Sequence, residues 1–338
     1  MAAMDALSDA LRVLQLTGAV FLDAEFTEPW CVVSNPRGNS QLMAGSPDIV
    51  FFHVLTEGRC KARLVEGGET VEFGPGDVVM LPRGSQHLMG SDLRLAPVAS
   101  DTIVRGGDGR MLRIEHGGGG DRTRFVCGYL HCDERLCGPM LEALPRIMRV
   151  PLGNGATSGW VNGLLAAGTR ESAAAGPGSG TVLAKLSELL FVEALRRYTE
   201  ALPDQETGWL AGLRDRFVGR ALALMHESPQ HDWTVEELAE RVGLSRSSLA
   251  QRFTEFLGQP PMQYLTRWRL TIAAQRLRNE HASLARIAAD SGYDSEAAFN
   301  RAFKRTFATT PAAWRKGMAN GGGRMAKGKA SPPSPRDR

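Results

Sequence analysis

The last third of this 338-residue chain writes one pattern twice: a short amphipathic helix, a glycine turn, and a second helix whose inner residues recur every four positions. In the first copy Thr234 and Glu237 have the spacing of a capping box, in which a side-chain oxygen and a carboxylate satisfy amides at a helix start. Val235, Leu238, Ala239 and Val242 then share one face, Gly243 turns the chain, Ser245 is placed to cap, and Leu249, Phe253 and Leu257 form the inner stripe. In the second copy Leu284, Ile287 and Ala288 face inward, Gly292 turns, Ser295 caps, and Phe299, Phe303 and Phe307 form the stripe. Ala239 and Gly243 map onto Ala288 and Gly292 at a spacing of 49, whereas Leu249 and Phe253 map onto Phe299 and Phe303 at 50. The second turn is therefore one residue longer. Residues 262–278, between the copies, carry an unbroken helical pattern. Two helix-turn-helix units on a helical spacer can set two helices into successive major grooves about 34 Å apart.

Charge follows the same division. The formal net charge is only +3. From residue 205 onward, however, there are 21 Lys and Arg against 13 Asp and Glu, while the preceding residues carry 19 basic and 24 acidic side chains. A basic third on an acidic body points to a polyanion meeting that third alone.

Residues 208–316 resemble the DNA-binding domain of the AraC/XylS family. The second unit carries the resemblance in Ile287, Ala288, Gly292, Tyr293, Ser295, Phe299, Asn300, Arg301, Ala302, Phe303, Lys304, Phe307 and Pro311. With the aromatic stripes turned inward, Arg246, Ser247, Ala250 and Gln251 lie outward in the first unit, and Glu296, Ala297, Asn300 and Arg301 in the second. The resemblance implies base contacts from the positions held by Ser247, Ala250, Gln251, Glu296, Ala297, Asn300 and Arg301. Arg can read guanine and Gln adenine through paired hydrogen bonds, and Arg246 and Lys304 are phosphate candidates. Ser247 and Ala250 are small, so the first unit is expected to read mainly shape and phosphates.

The amino-terminal part reads as strands at 50–55, 59–65, 70–73, 77–81 and 123–131, punctuated by Gly-Gly, Gly-Pro-Gly and Arg-Gly turns. Such spacing indicates a β-sandwich or barrel. Gly76, Pro82, Gly84 and His87 have the spacing of the second cupin motif, which this region resembles. The first cupin motif matches only at His53: its second histidine falls on Leu55, and its glutamate on Arg59 or Cys60. That donor set is poor for the usual metal-dependent chemistry. His53 and His87 are expected to line an effector cavity; satisfied core histidines and a residual His53–Cys60–His87 metal site are the alternatives. Cys127, Cys132 and Cys137 lack the spacing of common zinc sites and read as inert thiols, or as a redox-sensing pair.

The expected architecture is thus α+β and multidomain. A cupin-like β-barrel spans 1–136, a helical connector and dimerisation region 137–204, an all-α double helix-turn-helix domain 205–316, and a disordered basic tail 317–338. Within the connector, Leu141, Leu144, Ile147 and Met148 have helical spacing, 160–168 reads as a second short helix and 169–180 as a loop. A strong helix is expected over 181–201, broad enough in its apolar stripe to pair with a second copy. The partners expected are double-stranded DNA, a small-molecule effector and, by family resemblance, RNA polymerase. No cofactor, catalytic residue or metal is expected. The first residues carry acids and no basic leader, no apolar run reaches membrane length, and the five cysteines are an odd count, so a cytoplasmic location with reduced thiols is expected. Two other readings stand beside the effector-controlled activator: a thiol-responsive regulator and a metal-dependent cupin enzyme.

Overall fold

The computed structural model describes residues 6–14, 17–35, 49–106, 112–131, 134–142, 144–152, 163, 167–168, 176–279 and 282–321. Residue contacts divide the chain into two compact units: Leu14–Arg214, and Asp215–Arg338 together with Met1–Val13.

The first unit holds eleven strands among the described residues: β1 Thr17–Thr27, β2 Cys31–Ser34, β3 Ile49–Glu57, β4 Cys60–Leu64, β5 Val71–Phe73, β6 Asp77–Leu81, β7 His87–Gly90, β8 Val98–Ala99, β9 Leu112–Gly117, β10 Arg122–His131 and β11 Met148–Pro151. They form a six-stranded sheet, ordered β11-β6-β3-β10-β1-β9, and a five-stranded sheet, ordered β5-β4-β7-β2-β8. Most pairs are antiparallel, but β9 runs parallel to β1 and β8 parallel to β2. The expected barrel is therefore two mixed sheets rather than a closed ring of described strands. Leu22, Ala24, Phe26, Leu55, Val79 and Phe125 from the larger sheet meet Val32, Ala62, Phe73 and Met89 from the smaller in one buried core. Rings fill much of it: Phe26 stacks on Trp30 at 4.1 Å between centroids, and Phe125 meets both edge-on. In β3, Val50, Phe52 and Val54 turn away from this core yet are also buried, so the strand is covered on both faces.

Helices α2 (Ser100–Ile103), α3 (Glu134–Glu142), α4 (Ser179–Ala201) and α5 (Trp209–Arg214) complete the first unit among the described residues. The expected helical face of Leu141, Leu144, Ile147 and Met148 does not exist as one helix. Helix α3 ends at Glu142, Pro145 follows, and Met148 and Val150 point inward from strand β11, which pairs antiparallel with β6. An unfilled sheet edge and a proline outweigh a helical spacing of four apolar residues. Most of 160–168 and of the loop at 169–180 lies outside the described residues, but α4 begins at Ser179, inside that expected loop. It packs closely on β1: a Cβ added at Gly18 would lie 2.6 Å from the Ser187 Cβ.

The second unit contains α1 (Ala6–Leu14), α6 (Val218–Glu227), α7 (Val235–Val242), α8 (Arg246–Leu257), α9 (Pro261–Asn279), α10 (Leu284–Asp290), α11 (Glu296–Phe307) and α12 (Pro311–Gly321). Helix α12 covers 317–321, which the expected tail includes; residues 322–338 lie outside the description. Each helix-turn-helix start is capped by a side-chain oxygen that accepts an amide three residues on: Thr234 from Glu237, Ser245 from Ser248, Ser283 from Arg286 and Ser295 from Ala298. Gly243 and Gly292 turn the chain at φ 79° and 77°. The duplication also reaches further than the sequence pattern suggested. Gly258 and Ala308, 50 residues apart, both end a helix in the left-handed region, and Pro261 and Pro311 both open the next one.

Candidate nucleic-acid interface and sensor interior

The inner stripes fix what the outer faces present. Leu249 and Phe253 in α8, and Phe299 and Phe303 in α11, are fully buried. Phe253 meets Tyr264 edge-on at 5.7 Å, and the equivalent Phe303 meets Trp314 edge-on at 5.6 Å. Each second helix is thereby anchored to the helix that follows it, and cannot roll without breaking an aromatic pair. Opposite the stripe, Arg246, Ser247 and Gln251 of α8 are exposed and Ala250 is half-buried. On α11, Glu296, Ala297, Arg301 and Lys304 are exposed and Asn300 is half-buried. All nine expected reader or phosphate positions therefore share the outer faces of two helices. One of them is engaged already: Arg246 Nε donates to Glu236 Oε1 at 2.8 Å.

Two supports escaped the sequence reading. Arg252 Nε donates to both oxygens of Asp215, at 3.0 and 2.9 Å, which ties α8 to the start of the unit. His226 lies flat on Trp268, with centroids 3.9 Å apart, and its Nε2 is 2.7 Å from the Tyr264 hydroxyl. These partners are 37 to 42 residues apart, and no periodicity connects them. The Tyr264–Trp314 equivalence was legible, because the spacing is the same 50 residues as the stripe.

In the first unit, His53 from β3 and His87 from β7 meet between the two sheets. Their Nε2 atoms are 2.9 Å apart, and the side chains are 6% and 0% exposed. Both outer nitrogens are also occupied: His87 Nδ1 lies 2.9 Å from the Ser85 carbonyl, and His53 Nδ1 lies 3.0 Å from Cys127 Sγ. A carbonyl only accepts, which orders every proton in the line when both rings are neutral. His87 donates through Nδ1 and accepts at Nε2; His53 donates through Nε2 and accepts at Nδ1 from the Cys127 thiol. Burial holds both rings neutral. It lowers His53 well below the ordinary range, with the His87 charge adding to the effect, and lowers His87 to about 4 against a smaller opposing effect of Ser85.

The donor set does not suit a cupin metal. Leu55, in the second histidine's place, is a buried apolar side chain; all four imidazole nitrogens are engaged; and among the described residues no three His, Cys, Asp or Glu converge as a metal-holding group. Cys60 belongs to the core cluster with Cys127, and its thiol donates to the Lys61 carbonyl at 3.3 Å. Cys31, Cys60, Cys127 and Cys137 are buried and outside any disulfide, and burial pushes the Cys60 and Cys127 thiols up, away from the reactive thiolate. Cys132 lies outside the described residues.

Comparison with known proteins agrees with this two-part geometry. A family profile described as Cupin matches residues 5–200, and one described as a helix-turn-helix domain matches 238–317. A putative AraC-like transcription regulator of Streptomyces antibioticus is 34% identical over 93% of this chain and 99% of its own length. The HTH-type transcriptional regulator AlkR of Acinetobacter baylyi is 29% identical over 93% of this chain and 99% of its own length. The RCS-specific HTH-type transcriptional activator RclR of Escherichia coli is 30% identical over 93% of this chain and 98% of its own length. No described helix is long and apolar enough to cross a membrane. With an amino-terminal cupin domain and a carboxy-terminal double helix-turn-helix, the chain belongs to the AraC family of sequence-specific DNA-binding transcription regulators.

Proposed function

We propose that α8 and α11 enter successive major grooves and divide the reading between them. Gln251 and Arg301 are the bidentate readers; Ser247, Ala250, Glu296, Ala297 and Asn300 shape the contact around them; Arg246 and Lys304 hold phosphates. Arg246 would exchange Glu236 for a phosphate on binding. The observation that carries this reading is the outward row on each recognition helix, opposite a stripe of fully buried Leu249, Phe253, Phe299 and Phe303.

The signal enters through the cupin domain in this reading. A small-molecule effector reaches the interior and replaces the Nε2–Nε2 contact of His53 and His87 with contacts of its own. The connector 137–204 passes the change on, and α4 offers exposed Val182 and Leu189, two turns apart, to a second copy. Activation is the direction of control in this reading, supported by a relative named as an activator, with RNA polymerase as the expected partner. A thiol-linked signal is the second reading, favoured by the Cys127 Sγ lying 3.0 Å from His53 Nδ1. It would have to act on buried, protonated thiols.

The test is a binding-site profile selected from random DNA. Arg301→Ala should cost about 1–3 kcal/mol on the preferred site and relax one base position, whereas Lys304→Ala should weaken all sites alike. An unchanged profile for Arg301→Ala would remove α11's outer face as the reader.

A further inference from the structure

The ordered line Cys127–His53–His87–Ser85 does not end inside the sandwich. It ends on the turn 82–86, which reverses the chain between β6 and β7 with the Gly84 amide donating to the Leu81 carbonyl at 3.0 Å. The same turn holds the connector with its other side. Arg83 Nη2 donates to the carbonyls of Glu142 and Leu144, at 2.7 and 3.2 Å, where α3 stops. Arg146 Nη2 donates to Ser85 Oγ at 3.3 Å, and its Nη1 is ion-paired with Glu66. Ser85 thus accepts from the interior through its carbonyl and from the connector through its hydroxyl, and its side chain is itself buried.

Just beyond these grips the connector becomes β11. That strand is held to β6 by its ladder and by Arg149 Nε donating to Asp77 Oδ2 at 2.9 Å. At its end the Pro151 carbonyl accepts from Arg197 Nη1 of α4 at 2.7 Å, and the Arg197 Nε donates to the buried Glu193 at 2.9 Å. The interior pair and the long connector helix are therefore linked by a series of hydrogen bonds and short backbone steps, and among the described residues the turn 82–86 carries side-chain bonds from the histidines to residues 142–146.

We propose that the turn 82–86 is the coupling element of the sensor, with Arg83 and Arg146 as positioning residues that convert the state of the His53–His87 pair into the position of the segment 142–151. When the pair is intact, Ser85 is fixed and both arginines clamp the end of α3 and the start of β11. When it opens, Ser85 loses its donor, the turn relaxes, and the clamp on the connector loosens with it. A competing route exists in the backbone, because His53 pairs with Val79 across the β3–β6 ladder and β6 pairs in turn with β11. A contiguous chain of contacts becomes a coupling only when perturbation at one end is shown to depend on the middle.

The proposal rests on the reading of the cupin interior as the signal's point of entry, but its test needs no effector. Amide exchange is followed in full-length protein over residues 144–152. His87→Leu should speed exchange there by about fivefold, the factor set by one net hydrogen bond. In an Arg83→Ala/Arg146→Ala background, which is faster from the outset, the same His87→Leu change should add nothing. An increment that persists in that background assigns transmission to the β3–β6–β11 ladder and overturns the proposal, as does no increment in the otherwise native chain. If His87→Leu does not fold, Cys127→Val removes the thiol donor from the far end of the line with little change of volume, and the same two outcomes decide. Either failure removes the turn as the route and leaves an effector site in the interior standing; that site is decided by ligand binding, which this measurement does not read.

Discussion

The two helix-turn-helix copies share a backbone plan and differ in how firmly each is built. Both are capped by a hydroxyl, turned by a glycine and locked by an edge-on aromatic pair. In the second copy the lock is a ring cluster, with Phe303 in contact with Phe299, Phe307 and Trp314. In the first, Phe253 meets Tyr264, and part of the anchoring passes to a charged clasp between Asp215 and Arg252. The second copy is held mainly by apolar packing and carries the proposed arginine reader. The first adds an ion pair from its recognition helix to a more buried carboxylate and presents small outward side chains at Ser247 and Ala250. A duplicated fold can keep its geometry while moving its stability from one kind of interaction to another.

The largest expected effects test that contrast in the cores. Phe303→Ala and Phe253→Ala should each cost about 3–5 kcal/mol, with Phe303→Ala the costlier because it strips three ring contacts rather than one. Urea unfolding of the two variants measures the difference, and equal costs would show that the two locks are equivalent.

A smaller effect is expected from the clasp, and it depends on pH. Burial alone would raise the Asp215 carboxyl, but hydrogen bonds from Arg252 and from the amides of Val218 and Phe217 outweigh it and hold the group below the ordinary carboxylate range. A carboxylate depressed in the folded state stabilises the fold above its unfolded pKa, and that contribution is lost as pH falls through the folded value. Asp215→Asn should therefore destabilise fully at neutral pH, with the gap to the native chain closing only below the ordinary carboxylate range. In the second copy the Asp290 carboxyl is lowered mainly by its hydrogen bond to Arg276, with Arg286 assisting, at a more exposed position. Asp290→Asn should show the same sign and a shallower pH profile in the same unfolding experiment.

The smallest effect concerns the helix ends. Gly258 adopts φ 68° with open space where a Cβ would go, so Gly258→Ala should cost about 1 kcal/mol through backbone strain alone. Ala308 sits in the same conformation at φ 55°, so Ala308→Gly should gain up to about 1 kcal/mol. Opposite shifts in thermal midpoint would confirm that the two stops are equivalent; shifts of one sign would mean that the following helices, not the stops, set the strain.

How much of this was legible depends on sequence separation. The caps, turns and stripes of the second unit lie within a dozen residues of one another, so pattern alone located them and the outward faces opposite them. The five expected strands of the first unit all appear, because Gly and Pro turns bound them. Met148 was misplaced because a helical spacing of four apolar residues is also met by a bend followed by an edge strand, and only β6 waiting for a partner distinguishes the two. The histidines were found by motif, but their pairing with each other was not, since nothing in the spacing of 34 residues says that one ring faces the other.

The sequence by itself determined the duplicated helix-turn-helix, the polarity of its helices, the β-rich class of the amino-terminal part and the mismatch of its first cupin motif. Each of those follows from residue type and short-range periodicity, which act before the chain has folded. Tertiary structure alone decided that His53 and His87 satisfy each other, that Ser85 joins them to Arg146, and that Asp215 closes on Arg252. Such bonds form between strands and helices brought together by burial of apolar surface, and their geometry is a consequence of that packing rather than of any local preference.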